Sequence, residues 1–384
     1  MRIAVVHDYF TQLGGAEKVA EELYRMMPNP SLFTTVAFRD CMPAHLKDVD
    51  FHSSWMQKLP GIEKYYRLYF LIYPFAVRAL DLSDYELVLS SSSGYAKGVE
   101  TGQDAVHVCY CHTPMRWVWS YDSYSQRESL GPGERALLPM LIRGLKHWDE
   151  GASRQPDHFI ANSGVVAERI RRTYDRTAEV IHPPIDVDRF HPSDEREEYY
   201  VVLSRLVGYK RLDLAVRACS QRRKKLLVIG DGPDRKNLEA IAGPSVIFAG
   251  RLPDSDVEHV VSRCRALIFP GEEDFGMAPL EVAAAGRPTI AYRAGGAVET
   301  IVENRTGAFF DQQTPEDLGD AIERFERQTW SAEVLRRHAE GFSVEVFQQR
   351  IRSFLRRVGV PVPWLTRISI PIDVLESTLE ARAS

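Results

Sequence analysis

Apolar runs the length of a β-strand, each followed by a turn and a helix-length segment, recur along this chain. The series stops and restarts once. The first series holds Ile3 to Val6, Glu86 to Ser90, Val106 to Cys111 and His158 to Ala161. A helix opens after Gly14-Gly15 and carries Val19, Ala20, Leu23 and Tyr24 on one face. The stretch HPPIDVDRFHP, His182 to Pro192, is rich in proline and aspartate and reads as a linker. Beyond it YYVVLSRL, KLLVIGDG, VIFAGRL, ALIFPG and PTIAYR form five more strands, with helical segments such as Leu212 to Ala218 and Pro279 to Ala285 between them. Strands that run parallel need long crossovers, so this alternation predicts doubly wound sheets. The expected class is α/β, with one domain over 1–182 and a second over 183–342. An amphipathic last helix, about 343–358, carries Val346, Ile351, Phe354 and Leu355 and is expected to complete the first domain. The tail 359–384 has no assigned role.

Bulk properties narrow the function. The 384 residues suit two cores better than one. A net charge of −5 lacks the basic surplus of a nucleic-acid binder. No apolar stretch approaches the ~20 residues that span a bilayer. The longest, Leu68 to Leu80, is broken by Pro74 and Arg78. Arg2 leads straight into a first strand, not a signal peptide, so the expected location is the cytoplasm, where the five cysteines stay reduced. Cys109 and Cys111 are alternate residues of one strand, a spacing that suits packing better than metal binding.

Four constellations carry chemistry. In E-D-F-G-M-A-P-L-E, Glu273 to Glu281, seven residues separate two glutamates on a strand-to-helix loop. Gly276 permits close approach, and the amides of Phe275, Gly276, Met277 and Ala278 suit phosphate oxygens or hydroxyls. The plain alternative is two solvated glutamates around a cap. In SRLVGYKR, Arg205 and Lys210 flank a loop after the second domain's first strand and can face one pyrophosphate; the alternative is a solvated basic loop. Gly14 and Gly15 bring backbone close to a helix start, or make a simple tight turn. His112, in CHTPMRW at a strand end, is either structural or a hydrogen-bonding group at a cleft mouth.

Together these residues resemble the retaining glycosyltransferases with two facing Rossmann-like domains, the GT-B fold, in the group that holds bacterial mannosyltransferases. E-x7-E, SRLVGYKR, VIGDGPDR, FAGRLPD and the glycine pair carry the resemblance, from Met1 to about Phe354. It implies a nucleotide-diphosphate sugar as donor, bound in the cleft. Glu281 would bind the ribose, while Glu273 and the 275–278 amides hold the sugar. Arg205 and Lys210 would take the pyrophosphate, helped by the Gly15 amide. His112 would lie near the sugar and β-phosphate, and Arg251-Leu252 would border the base. HTPMRWVW resembles the mannosyltransferase branch.

No DxD-type pair sits in a matching loop, so no metal or other cofactor is expected, and arginine, lysine and amides are expected to stabilise the leaving phosphate. A sugar-nucleotide epimerase, a phosphorylase or a binding protein with a decayed site are the competing readings. A decayed site would lack one of Glu273, Glu281, Arg205 and Lys210, and all four are present. The acceptor is expected to be a glycan, lipid-linked, met at the inner face of a membrane. Trp55 to Tyr73 mixes aromatics with Lys58, Lys64 and Arg67, as an interfacial surface does. An ordinary buried helix with snorkelling cations accounts for it equally well.

Overall fold

The computed structural model describes residues 1–119 and 132–361. The tail beyond 361 lies outside them. Seven strands form the first sheet: β1 (Ile3–His7), β2 (Ser31–Thr34), β3 (Phe51–Ser53), β4 (Leu87–Ser92), β5 (Val106–Cys111), β6 (His158–Ala161) and β7 (Ala178–Val180). They run parallel in the order β3-β2-β1-β4-β5-β6-β7. Six form the second: β8 (Tyr199–Leu203), β9 (Lys225–Ile229), β10 (Val246–Gly250), β11 (Ala266–Phe269), β12 (Thr289–Tyr292) and β13 (Gly307–Phe310), in the order β10-β9-β8-β11-β12-β13. Both are Rossmann-like sheets in the GT-B arrangement. The order reverses between β1 and β4 and between β8 and β11, where such sheets open a crevice at their carboxyl ends.

Alternation of side chains explains why the central strands read as unbroken apolar runs. In β1, Ile3 and Val5 enter one core with Val19, Leu23, Leu87 and Val108, while Ala4 and Val6 enter the other with Ala76, Val77 and Val88. Helices cover both faces, so polar strand residues such as His7 and Ser91 are buried and must find partners inside the protein. The second sheet repeats the pattern, with Val201 and Leu267 on one face and Tyr200, Val202 and Ile268 on the other.

The last helix, Val344–Arg357, lies on the first sheet. Phe347, Ile351, Phe354 and Leu355 join Ile3, Leu23, Tyr110 and Ile160. Its buried stripe begins at Phe347; Val346 is half-exposed. The proline-rich His182–Pro192 segment is packed, not loose: Ile185, Val187 and Phe190 sit in the second core, and Ile185 bridges to Ser343. Two helices differ from expectation. One runs Leu212–Gln221, a turn longer, and the other starts at Met277, two residues before Pro279. No single helix spans 55–73. A short turn at Trp55–Lys58 and a helix at Ile62–Tyr65 precede the Tyr73–Arg78 helix.

Candidate functional site

Because every strand of a sheet points the same way, the loops after β1, β4, β5 and β6 share one edge, and those after β8, β10, β11 and β12 share another. These two edges meet. Gly15 approaches the start of the Met277–Ala284 helix so closely that a Cβ there would stand 2.8 Å from Met277 Sδ. Arg205 Nη1 donates to Gln12 Oε1 at 2.6 Å, and Lys18 Nζ lies 3.4 Å from Glu281 Oε1.

The E-x7-E loop is built by backbone fit. Gly276, at φ +87°, caps the Met277–Ala284 helix, and a Cβ on it would meet the Phe269 ring at 2.8 Å. Only glycine takes that conformation and that contact together. Glu281 therefore lies in the second turn of the helix, two residues deeper than a start at Pro279 implies. Gly295 and Gly296, after β12, pack on the same loop, with Gly296 N donating to Glu273 O at 2.8 Å. A Cβ on Gly296 would stand 2.2 Å from Phe275 Cα. Motif spacing alone misses this second glycine pair, although AGG directly after a strand is the same signal as Gly14-Gly15.

Lys210 Nζ pairs with Glu273 Oε1 at 2.5 Å, both side chains mostly buried. Arg205, expected with Lys210 on one pyrophosphate, reaches across to Gln12 on the facing edge. Phe275 is buried, its ring stacked on His182 at 5.2 Å. Met277, Ala278 and Leu252 pack against the same apolar cluster as Phe275. Arg251 is exposed beside the positive-φ Gly250 that ends β10. His112, just after β5, is buried, and its Nε2 lies 2.8 Å from Ser91 Oγ. Burial, with His7 nearby, pulls its ring down to about 3, so it is neutral.

Residues with no local motif tie the two edges together. Arg169 forms ion pairs with Asp274 and, at 3.6 Å, with Glu272. Arg116 lies 3.7 Å from Asp274 and covers the Tyr209 ring at 5.1 Å. Ser163 Oγ donates to Asp274 O at 2.6 Å. Glu299 accepts from the Gly164 and Val165 amides at the start of the Gly164–Tyr174 helix and lies 3.1 Å from His182 Nε2. Burial alone would raise the Glu299 carboxyl, but His182 and those amides hold it below the ordinary range. Among the described residues no group of three or more His, Cys, Asp or Glu side chains is placed to hold a metal ion.

Such a cleft offers cations, helix-start amides and carboxylates to one ligand, a set that suits a phosphorylated, hydroxyl-rich molecule. The model of the glycosyl transferases group 1 matches residues 186–341, and that of glycosyltransferase family 4 matches residues 13–189. The GDP-mannose-dependent alpha-(1-6)-phosphatidylinositol monomannoside mannosyltransferase of Mycolicibacterium smegmatis is 29% identical over 174 residues, which cover 38% of this chain and 46% of the relative. Human alpha-1,3/1,6-mannosyltransferase ALG2 is 25% identical over 295 residues, 65% of this chain and 68% of the relative. The match thus spans under half of the first relative and about two thirds of the second. Among solved structures, Anabaena Alr3699/HepE in complex with UDP superimposes with a TM-score of 0.67 at 16% identity, covering 93% of this chain and all of that one.

Proposed function

The chain belongs to the group 1 and family 4 glycosyltransferases, and from that membership we propose that it is a retaining enzyme moving mannose from GDP-mannose to a lipid-linked glycan acceptor. The observation that carries the reading is the Lys210–Glu273 pair beside the glycine-capped helix start, across from Gly15. A pyrophosphate arriving there draws Lys210 toward itself. Glu273 is then released to accept hydrogen bonds from sugar hydroxyls, so donor binding exchanges one charge pair for two ligand contacts. As the glycosidic bond breaks, negative charge grows on the β-phosphate, where Lys210, Arg205 and the 276–278 amides stabilise it. In this reading the acceptor hydroxyl attacks from the face the phosphate leaves, and that phosphate takes its proton. The mannosyltransferases among the relatives favour mannose. A UDP-sugar donor is the second reading, favoured by the UDP held in the Anabaena structure.

The lipid-linked acceptor rests on the surface near 55–75. Trp55, Tyr65, Leu68, Leu71 and Phe75 are exposed there, beside exposed Lys58, Lys64 and Arg67. Among the described residues no helix is long and apolar enough to cross a membrane, so this surface would rest on the headgroups.

Thermal-shift screening against GDP-, UDP- and ADP-sugars, followed by turnover with and without EDTA, tests the proposal. Stabilisation by GDP-mannose, an α-linked product and unchanged EDTA-treated turnover are expected. Release of free mannose without transfer, an inverted product, or activity lost to EDTA and restored by magnesium or manganese would overturn it.

A further inference from the structure

Beneath the glycine pair, four buried polar side chains form a line, of which the donor reading uses only the last: Glu17, His7, Ser91 and His112. Glu17 Oε1 lies 4.0 Å from His7 Nε2. His7 Nδ1 lies 3.1 Å from Ser91 Oγ, and Ser91 Oγ lies 2.8 Å from His112 Nε2. Three elements supply them: the Gly15–Arg25 helix, β1 and β4, with His112 just past β5. Asn162 Nδ2 donates to the His112 carbonyl at 3.0 Å and fixes the backbone behind the ring. Among the described residues, Nδ1 of His112 has no hydrogen-bond partner.

A serine hydroxyl has one proton. Between two neutral imidazole nitrogens it donates to one and accepts from the other, so the two rings' tautomers are coupled. The carboxylate of Glu17 decides between the two arrangements, because it draws the His7 proton to Nε2. His7 Nδ1 must then accept from Ser91, and Ser91 must accept from His112 Nε2–H. We propose that Glu17, His7 and Ser91 are positioning residues that lock His112 in the Nε2-protonated tautomer, leaving Nδ1 as an acceptor for a hydroxyl of the bound sugar. The Gly14-Gly15-Ala16-Glu17 segment then serves the relay as well as the donor. A Cβ on Gly14 would stand 3.1 Å from Glu17 Oε2, so the glycine leaves the carboxylate room. The link to catalysis rests on the donor-site reading above; the tautomer does not.

Long-range proton–nitrogen correlation spectra of the full chain, labelled with nitrogen-15 histidine and assigned with His112→Asn, read the tautomer directly. His112 is expected with Nε2 protonated and Nδ1 bare. Glu17→Gln and Ser91→Ala should each abolish that bias, and Ser91→Thr should keep it. Ser91→Ala should also lower kcat about tenfold with donor KM within about twofold, as loss of one orienting hydrogen bond does. An Nδ1-protonated His112 in the unaltered protein, or a tautomer that persists in Glu17→Gln, overturns the relay. Should Ser91→Ala fail to fold, Glu17→Gln alone decides. Wild-type turnover in His112→Asn with the expected tautomer would instead sink the donor-site role of His112 and leave the relay standing.

Discussion

Lys210 and Glu273 are each other's counter-charge, so removing either leaves the other unpaired in a half-closed cleft. Lys210→Ala and Glu273→Ala should each lower kcat/KM by about 100-fold or more, the range seen when one transition-state donor is lost. Circular dichroism and melting should show both variants folded, since partly solvated ion pairs contribute little to stability. Turnover within a fewfold of the parent would remove both residues from the mechanism. Two buried histidines set a pH dependence of stability. Burial holds His107 down to about 4 and His112 down to about 3, against 6.5 for an ordinary ring. The folded rings stay neutral where the unfolded ones bind protons, so stability falls as pH drops below about 6.5 and levels off only below the folded values. Each proton contributes roughly 1.4 kcal/mol per pH unit in that window. The urea midpoint should fall from pH 7.5 to pH 5, and less steeply in His112→Asn; a flat profile contradicts the assignment. The glutamate pair, the Arg205–Lys210 loop and the glycine pair were legible as motifs because each occupies one loop. Arg116, Arg169, Asp274 and Glu299 were not, because what marks them is a partner more than a hundred residues away.

Among the elements, the Pro132–Ala152 helix is anchored by charge as well as by apolar packing. Its Asp149 is fully buried, lies 2.5 Å from Lys97, and accepts from Trp119 Nε1 at 2.7 Å and Tyr174 OH at 2.6 Å. Breaking one side of such a pair leaves a buried charge uncompensated, at about 3–5 kcal/mol. Asp149→Ala should lose that much in equilibrium denaturation. Lys97→Met with Asp149→Leu should recover most of it, and a loss under about 1 kcal/mol for the single change would show the pair to be solvated. At this scale the sequence is legible for most central strands but not for β2, whose SLFT is a four-residue run without alternation. Its periodicity does not reveal β3 and β7, three residues each at the sheet edges, where a two-residue repeat has too little length to register. Nor does it reveal β13, whose GAFF has no alternation because both of its faces are covered. The helix start is displaced to Met277 because Gly276, in the left-handed region, ends the loop before Pro279 is reached.

For the whole molecule, the two sheets meet, among the described residues, through polar ties and not a shared apolar core. Arg169 to Asp274 and Glu299 to the Gly164 amide are the chief examples. Ties of this kind let domains shift as a donor enters. The Trp55–Phe75 surface supplies the prediction that belongs to the molecule as a whole. Three cations near anionic lipid contribute about 1 kcal/mol each, enough only for reversible attachment. Co-sedimentation with anionic vesicles should be detectable at low salt and fall as salt rises. It should fall again when Lys58, Lys64 and Arg67 are neutralised. No sedimentation at low salt, with efficient transfer to a small soluble acceptor, would overturn the lipid-linked reading.

The amino-acid sequence by itself determined the fold class, the two-sheet plan and the glycine-bearing and charged loops that meet at the cleft. Burial of apolar side chains imposes a local period, and turn glycines and helix starts occupy contiguous residues, so both leave their mark within a short window. Tertiary structure alone decided that Lys210 meets Glu273, that Lys18 meets Glu281, and that Glu17, His7, Ser91 and His112 line up beneath the cleft. Periodicity records which face of an element is covered, but not which element covers it. A hydrogen bond or ion pair between distant segments depends on that second fact.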